Sequence, residues 1–133
     1  MTPYKLAANE LLRRGDVMLV RFPFTDQSTT KQRPAVVVSG LGYNQKRPDV
    51  VVMAITSQVG GADSFGQAAI QDWQDAGLLK ASILKPIIAT LEQSLLIGRL
   101  GVLSERDQTS LAVLCDSIFF ESGKPANPTF FKP

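Results

Sequence analysis

Apolar residues along this chain fall into short runs dense in β-branched side chains, set apart by clusters of Gly, Pro, Ser, Thr and Asn. That spacing predicts strands joined by loops rather than a bundle of long helices. The stretch GDVMLVRF (Gly15 to Phe22) alternates well enough for a first strand entered through a glycine turn. AVVVS (Ala35 to Ser39) and DVVVMAITS (Asp49 to Ser57) read as central strands with buried faces. QAAIQ reads as a short strand. ASILKPIIATLE resumes β character, broken at Pro86, a residue that sheets tolerate at a bulge, an edge or a strand end. LLIGRLGVLS then turns the chain toward its last element.

From Ser104 the period changes. Ser104 suits an N-cap, Asp107 lies near the positive end of a helix dipole, and Leu111, Leu114, Cys115 and Ile118 recur at helical spacing. Lys5 to Arg14 reads as a short helix or arm. Pro23 to Gln32 reads as a hairpin loop of about ten residues, near the upper end of normal length, where function often resides. GLGYNQKRP and QVGGADSFG read as connections, and DWQDAGL as a turn or one helical turn. The tail ESGKPANPTFFKP, with three prolines and a glycine, reads as irregular. The expected organisation is an arm over 1–14, one domain over 15–120 and a tail over 121–133. Short strands with one closing helix predict a mostly β fold, either a strongly bent small barrel or two packed sheets.

Composition narrows the chemistry more than the fold. A chain of 133 residues, 44% hydrophobic and 20% charged, is long enough for one soluble domain with its own core. No apolar run approaches the roughly 20 residues that span a bilayer. The start MTPYKLAANELLRR lacks the parts of a signal peptide, so a cytoplasmic protein is expected. The single cysteine, Cys115, sits among apolar neighbours that suit a buried thiol better than a reactive one. Histidine is absent, which removes Ser-His-Asp and Cys-His nucleophile systems and a two-histidine ribonuclease mechanism. A zinc site would lack its ligands. Any chemistry must use Arg, Lys, Asp, Glu, Ser, Thr or Tyr. The net charge of +2 permits contact with a polyanion without demanding it.

Three polar features stand at strand ends: Gly15-Asp16 opening the first, Arg33-Pro34 opening the second and Thr56-Ser57 closing the third. If the second and third strands pair antiparallel, Arg33 and Thr56 fall at the same end of the sheet. A guanidinium fork beside hydroxyl donors suits a phosphoryl group. Each residue also has a plainer use: Arg33 as a solvated strand-end charge, Thr56 and Ser57 as strand and terminator, Asp16 as a cap or ion-pair partner, and Lys85 as an exposed cation before Pro86.

GDVMLVRFPFTD, QRPAVVVS, YN, VVVMAITSQV, DWQDAGL with ASILKP, and IGRLGVLSERD occur in the order found in the PemK/MazF family of bacterial toxins. From Gly15 to about Phe119 the chain resembles that family. The resemblance implies an SH3-like small β-barrel with a C-terminal helix, a homodimer, no cofactor, and metal-independent, sequence-specific cleavage of single-stranded RNA. It also implies a cognate antitoxin whose acidic segment occupies the RNA groove. On this resemblance Arg33 and Thr56 are the catalytic pair, with Ser57, Asp16 and Lys85 as further catalytic candidates. Arg21, Thr25, Lys31, Gln32, Lys46 and Arg47 are candidates for RNA binding. The loop after Phe22 corresponds to the segment covering the groove. One departure is clear: many relatives carry an acid where this chain has Ile87.

Two rival readings keep the barrel without the nuclease. One is a noncatalytic toxin acting on DNA gyrase, although the ending TFFKP lacks the tryptophan-containing terminus of that class. The other is an inactive relative that only binds the antitoxin segment.

Overall fold

The computed structural model describes residues 11–22, 31–57 and 67–121. Strands β1 (Asp16–Phe22), β2 (Lys31–Val37), β3 (Asp49–Thr56), β4 (Ala68–Ile70), β5 (Ser82–Glu92) and β6 (Leu96–Val102) form one sheet in the order β4-β5-β3-β2-β1-β6. Every pairing is antiparallel. The sheet curls into a half-barrel, so the alternative of two packed sheets is not what forms. Helix α1 (Leu41–Lys46) joins β2 to β3, and α2 (Glu105–Phe119) follows β6.

The central strands are near-continuous apolar runs because both of their faces are buried. On one face Val17, Val36, Met53, Ile55 and Leu84 pack with Leu111 and Leu114 of α2 and with Ile70, Ala76 and Leu78. On the other face Met18, Val20, Ala35, Val37, Val50 and Val52 pack with Leu12 and Leu91. Each such side chain contributes about 1.5–3 kcal/mol by leaving water. Pro86 sits where expected for a strand proline. Leu84 pairs with Ile55 and Ile88 with Met53, so residues 85–87 bulge opposite Ala54 alone.

Two segments are more definite than the sequence pattern makes them. The connection GLGYNQKRP contains the short helix α1. Asn44 holds that helix to the barrel: its Oδ1 accepts from Ser39 Oγ at 2.5 Å, and its Nδ2 donates to the Leu12 and Ser39 carbonyls at 3.0 and 3.1 Å. Gln93 Nε2 lies 2.8 Å from the Asn44 carbonyl and 3.1 Å from those of Arg47 and Asp49, satisfying acceptors that a helix end leaves open. The arm is not helical over Leu11–Arg14, which runs without regular structure into a turn at Gly15. Its earlier part lies outside the described residues. So do 23–30 of the expected long loop, 58–66 and 122–133; Lys31 and Gln32 of that loop belong to β2.

The segment from Gln71 to Leu78 is a compact turn locked onto the start of α2 and onto β6. Ser104 is the N-cap of α2, its Oγ accepting from the Asp107 amide at 3.3 Å. Asp107, 1% exposed, reaches back and accepts the amides of Gln71 and Asp72 at 2.9 Å each. Asp72 receives Arg106 through Nε at 2.7 Å and Nη2 at 2.6 Å, and Ser104 Oγ at 2.6 Å. The Arg106 guanidinium, with help from the Ser104 hydroxyl, holds the Asp72 carboxyl down at about 2. Burial pushes the Cys115 thiol on α2 up, as its apolar setting predicts.

Glycine closes this turn for a geometric reason. Gly77 has φ +82° and a Cβ there would collide with the Leu100 carbonyl, while a Cβ on Gly101 would lie 2.5 Å from the Ala76 carbonyl. The two backbones therefore pack without side chains between them. Gly77→Ala combines a left-handed conformation with a clash against main chain, and is expected to destabilise the fold by at least about 1–3 kcal/mol. Urea unfolding of the variant checks this; an unchanged midpoint would mean that the turn relaxes away from β6.

Candidate functional site

The β2–β3 ladder runs Val37↔Val52, Val36↔Met53 and Ala35↔Ala54, then stops. Continuing that register two residues sets Arg33 opposite Thr56, on the sheet face that carries Ala35 and Ala54. Beyond the last rung the strands part. Pro34, which has no N–H, stands at the point of departure. Thr56 itself remains paired with Ile83 of β5. The gap opens into a cleft of about 440 Å3.

Three walls line this cleft. β2 contributes Lys31, Gln32, Arg33 and Pro34; β3 contributes Ile55, Thr56 and Ser57; the entry to β5 contributes Leu78, Leu79, Lys80 and Ser82. Arg33 is exposed and forms no ion pair with a described carboxylate. The lining holds three cations and the hydroxyls of Thr56, Ser57 and Ser82, and no carboxylate among the described residues. Such a lining favours an anion with several acceptor oxygens, and a phosphodiester fits that description.

The structure therefore gathers Arg33, Thr56, Ser57, Lys31 and Gln32 in one place. Arg21 lies beside them, because it pairs with Gln32 across the β1–β2 ladder and is exposed. Thr25 lies outside the described residues. Four other candidates are elsewhere. Asp16 is 3% exposed at the far end of β1, four residues from the Val20 that pairs with Arg33, or about 13 Å along the strand. Its carboxylate is committed to the Arg13 amide at 2.9 Å and to Arg99 Nη2 at 3.1 Å. The plainer use of Asp16, as cap and ion-pair partner, is the one observed.

Lys46 and Arg47 are also at the wrong end. They precede β3, whose first residue is Asp49 and whose last is Thr56, so seven residues or about 23 Å of strand separate them from the cleft. Arg47 is occupied by Asp49, at 2.9 Å, and lies 5.5 Å over the Tyr43 ring. Its guanidinium lowers the Asp49 carboxyl, mainly through their hydrogen bond. Lys85 is half-buried in the β5 bulge and does not line the cleft. Trp73 packs against the α2-side core rather than standing free.

Sequence reasoning passed over Lys80, Leu79 and Ser82. Their position depends on Gly77 docking against Leu100, a contact between residues far apart in the chain. The cue present in the sequence was the length of the segment: a tight AGL turn just before a strand that pairs with Thr56 has to pass the end of β3.

The family model of the PemK-like, MazF-like toxins of type II toxin-antitoxin systems matches residues 13–114. The chain belongs to this family. Among solved structures, a PemK/MazF-like fold of the same kind is seen in MazF from Deinococcus radiodurans, 17% identical over 83% of this chain and 97% of that one, with a TM-score of 0.66. The Mycobacterium tuberculosis toxin MazF-mt6 is 18% identical over 78% of this chain and 95% of its own, with a TM-score of 0.64. An endoribonuclease in complex with its cognate antitoxin, from a mycobacterial species, is 19% identical over 86% and 96%, with a TM-score of 0.63. At these identities the likeness is one of fold. Comparison with curated proteins finds no match. Family membership makes the half-barrel and its closing helix the PemK/MazF scaffold.

Proposed function

We propose that this PemK/MazF-family chain is a toxin that cleaves single-stranded RNA at short sequences, messenger RNA included, through the Arg33–Thr56 cleft. The observation that carries this is the convergence, in one cationic cleft, of the Arg33 guanidinium and the Thr56 hydroxyl, with no carboxylate lining the cleft or pairing with Arg33 among the described residues. The ribose 2′-OH already neighbours the phosphorus, so cleavage needs no external nucleophile and no metal. The 2′-oxygen bonds to phosphorus as the P–O5′ bond breaks, leaving a 2′,3′-cyclic phosphate and a 5′-OH. The 2′-OH gives up its proton to solvent, and O5′ takes one from solvent as it departs.

Arg33 is always protonated and is a poor base, so its part is electrostatic. It stabilises charge gathering on the nonbridging oxygens and donates toward the departing O5′, while the Thr56 hydroxyl supplies an oriented second donor. Among the described residues Asp16 is engaged about 13 Å away along β1 and Ile87 stands in place of an acid, and we assign the 2′ proton to solvent. Bases leave the stack to lie against the exposed Leu79 and the β2 wall.

Family membership and the antitoxin complex of the mycobacterial relative support a cognate antitoxin as partner. Its acidic segment would take the same cleft, competing with RNA for Lys31, Arg33 and Lys80. The family also supports a cytoplasmic homodimer.

Cleavage of a defined RNA followed by end-group mapping tests the proposal. The expected products carry 2′,3′-cyclic phosphate and 5′-OH ends, and a single 2′-deoxy substitution at the cut stops the reaction. Cutting that survives this substitution would rule out the 2′ oxygen as nucleophile. Intact RNA with broken DNA after expression would point instead to gyrase.

A further inference from the structure

Lys80 is the cleft cation that no sequence motif singled out, and the segment that carries it is held by several specific contacts. Asp107 grips the amides of Gln71 and Asp72 at 2.9 Å, and Arg106 clamps Asp72 at 2.6–2.7 Å. Gly77 then seats the turn on the Leu100 carbonyl, with its amide bonded to Gln74 and that of Leu78 to Trp73 at 3.0 Å each. Leu78 is buried in the core, which leaves Leu79 and Lys80 exposed on the cleft side. Finally Ser82 Oγ donates to the Lys80 carbonyl at 2.8 Å, fixing the backbone that carries the ammonium. The side chain itself has no carboxylate partner among the described residues. Lys85, five residues on, has none of these attributes and stays outside the cleft.

Across the sheet the order is β2, β3, β5, so Arg33 and the Lys80 segment flank Thr56 from opposite sides. Two strand spacings separate β2 from β5, about 10 Å at the backbone. That separation lets Arg33 and Lys80 each stand over a different phosphate of one strand laid across the end of β3. We propose that Lys80 is a binding residue for the RNA phosphate next to the scissile one, so that Arg33 stabilises the reacting group and Lys80 holds the strand in register. This rests on the RNA-cleavage proposal above. Leu79, 66% exposed beside it, supplies the apolar wall against which the intervening base lies.

The test uses the full chain and two probes: a cleavable RNA, and the same RNA with a 2′-deoxy residue at the cut so that binding is measured without reaction. Lys80→Met removes the charge and keeps the stem. It is expected to weaken binding of the deoxy probe about fivefold, the scale of one exposed charge contact. The slope of log K against log salt should flatten by about 0.7, the value for one phosphate of a single strand. KM rises with kcat nearly unchanged, and Lys80→Arg restores the salt slope. A salt slope identical to wild type, or a loss confined to kcat, would overturn the assignment to a neighbouring phosphate. Wild-type protein that neither binds the deoxy probe nor cuts the RNA would instead overturn RNA cleavage itself, and Lys80's role with it.

Discussion

Replacing Arg33 with alanine is expected to slow RNA cleavage by about 10²–10³-fold while leaving the fold intact. A preorganised donor aimed at charge developing on phosphoryl oxygens is worth about 2.7–4 kcal/mol of barrier when it acts in a site that partly excludes water. Arg33 is placed for this part because it lines the cleft with Thr56, each two residues beyond the last β2–β3 rung. Its removal costs little stability, because the side chain is exposed and pairs with no described carboxylate, and such surface changes usually stay within about 0.5 kcal/mol. The paired measurement is a single-turnover cleavage rate and a urea midpoint on the same preparation. A rate equal to wild type would remove Arg33 from the chemistry. A rate loss accompanied by an equal loss of stability would assign it to the scaffold. Thr56→Ala should show the smaller rate effect of a neutral donor, and the two losses should add to less than their sum if both act on one transition state.

Much of this site follows from simple counting in the sequence. Once AVVVS and DVVVMAITS are taken as antiparallel neighbours, the residue opening one and the residue closing the next must share an end of the sheet. The same counting also excludes Lys46 and Arg47, since residues that precede β3 lie a strand's length from the Thr56 that ends it. Asp16 fails for a different reason. Its partner Arg99 is 83 positions away, and only the β1–β6 pairing brings that guanidinium to within 3.1 Å. A buried carboxylate met by an arginine and a backbone amide is at rest, whereas a sequence shows only an acid at a strand start.

Helix α1 and the Lys80 segment were invisible for the reason that long-range contacts usually are. GLGYNQK has two glycines and no apolar period, so nothing local favours a helix. The helix is held by Asn44 and by the side-chain amide of Gln93, 49 positions on, which caps it from the turn between β5 and β6. Lys80 likewise owes its position to Gly77 and Leu100. In both cases a polar or backbone contact between distant segments overrides weak local preference. Where local preference was strong, as at Ser104 and the periodic residues of α2, the expected cap and helix are present.

The same logic makes Asp107 the most consequential scaffold residue in the described chain. It is a carboxylate 1% exposed that accepts from the Gln71 and Asp72 amides, and its own amide donates to the Ser104 hydroxyl. Asp107→Ala strands two amide donors away from water, each at about 1–3 kcal/mol, and is expected to destabilise the fold by about 3–5 kcal/mol. Asp107→Asn keeps one acceptor but turns an NH2 group toward the other amide, so an intermediate loss is expected. Urea unfolding measures both. A loss below 1 kcal/mol for the alanine variant would mean that water replaces the carboxylate and that the turn is not locked. Cleavage by Asp107→Asn, assayed well below its unfolding transition, separates the scaffold from the site. If the Gln71–Leu78 turn carries Lys80 into the cleft, KM should rise as it does in Lys80→Met, because the ammonium loses its footing while Arg33 and Thr56 keep theirs on β2 and β3.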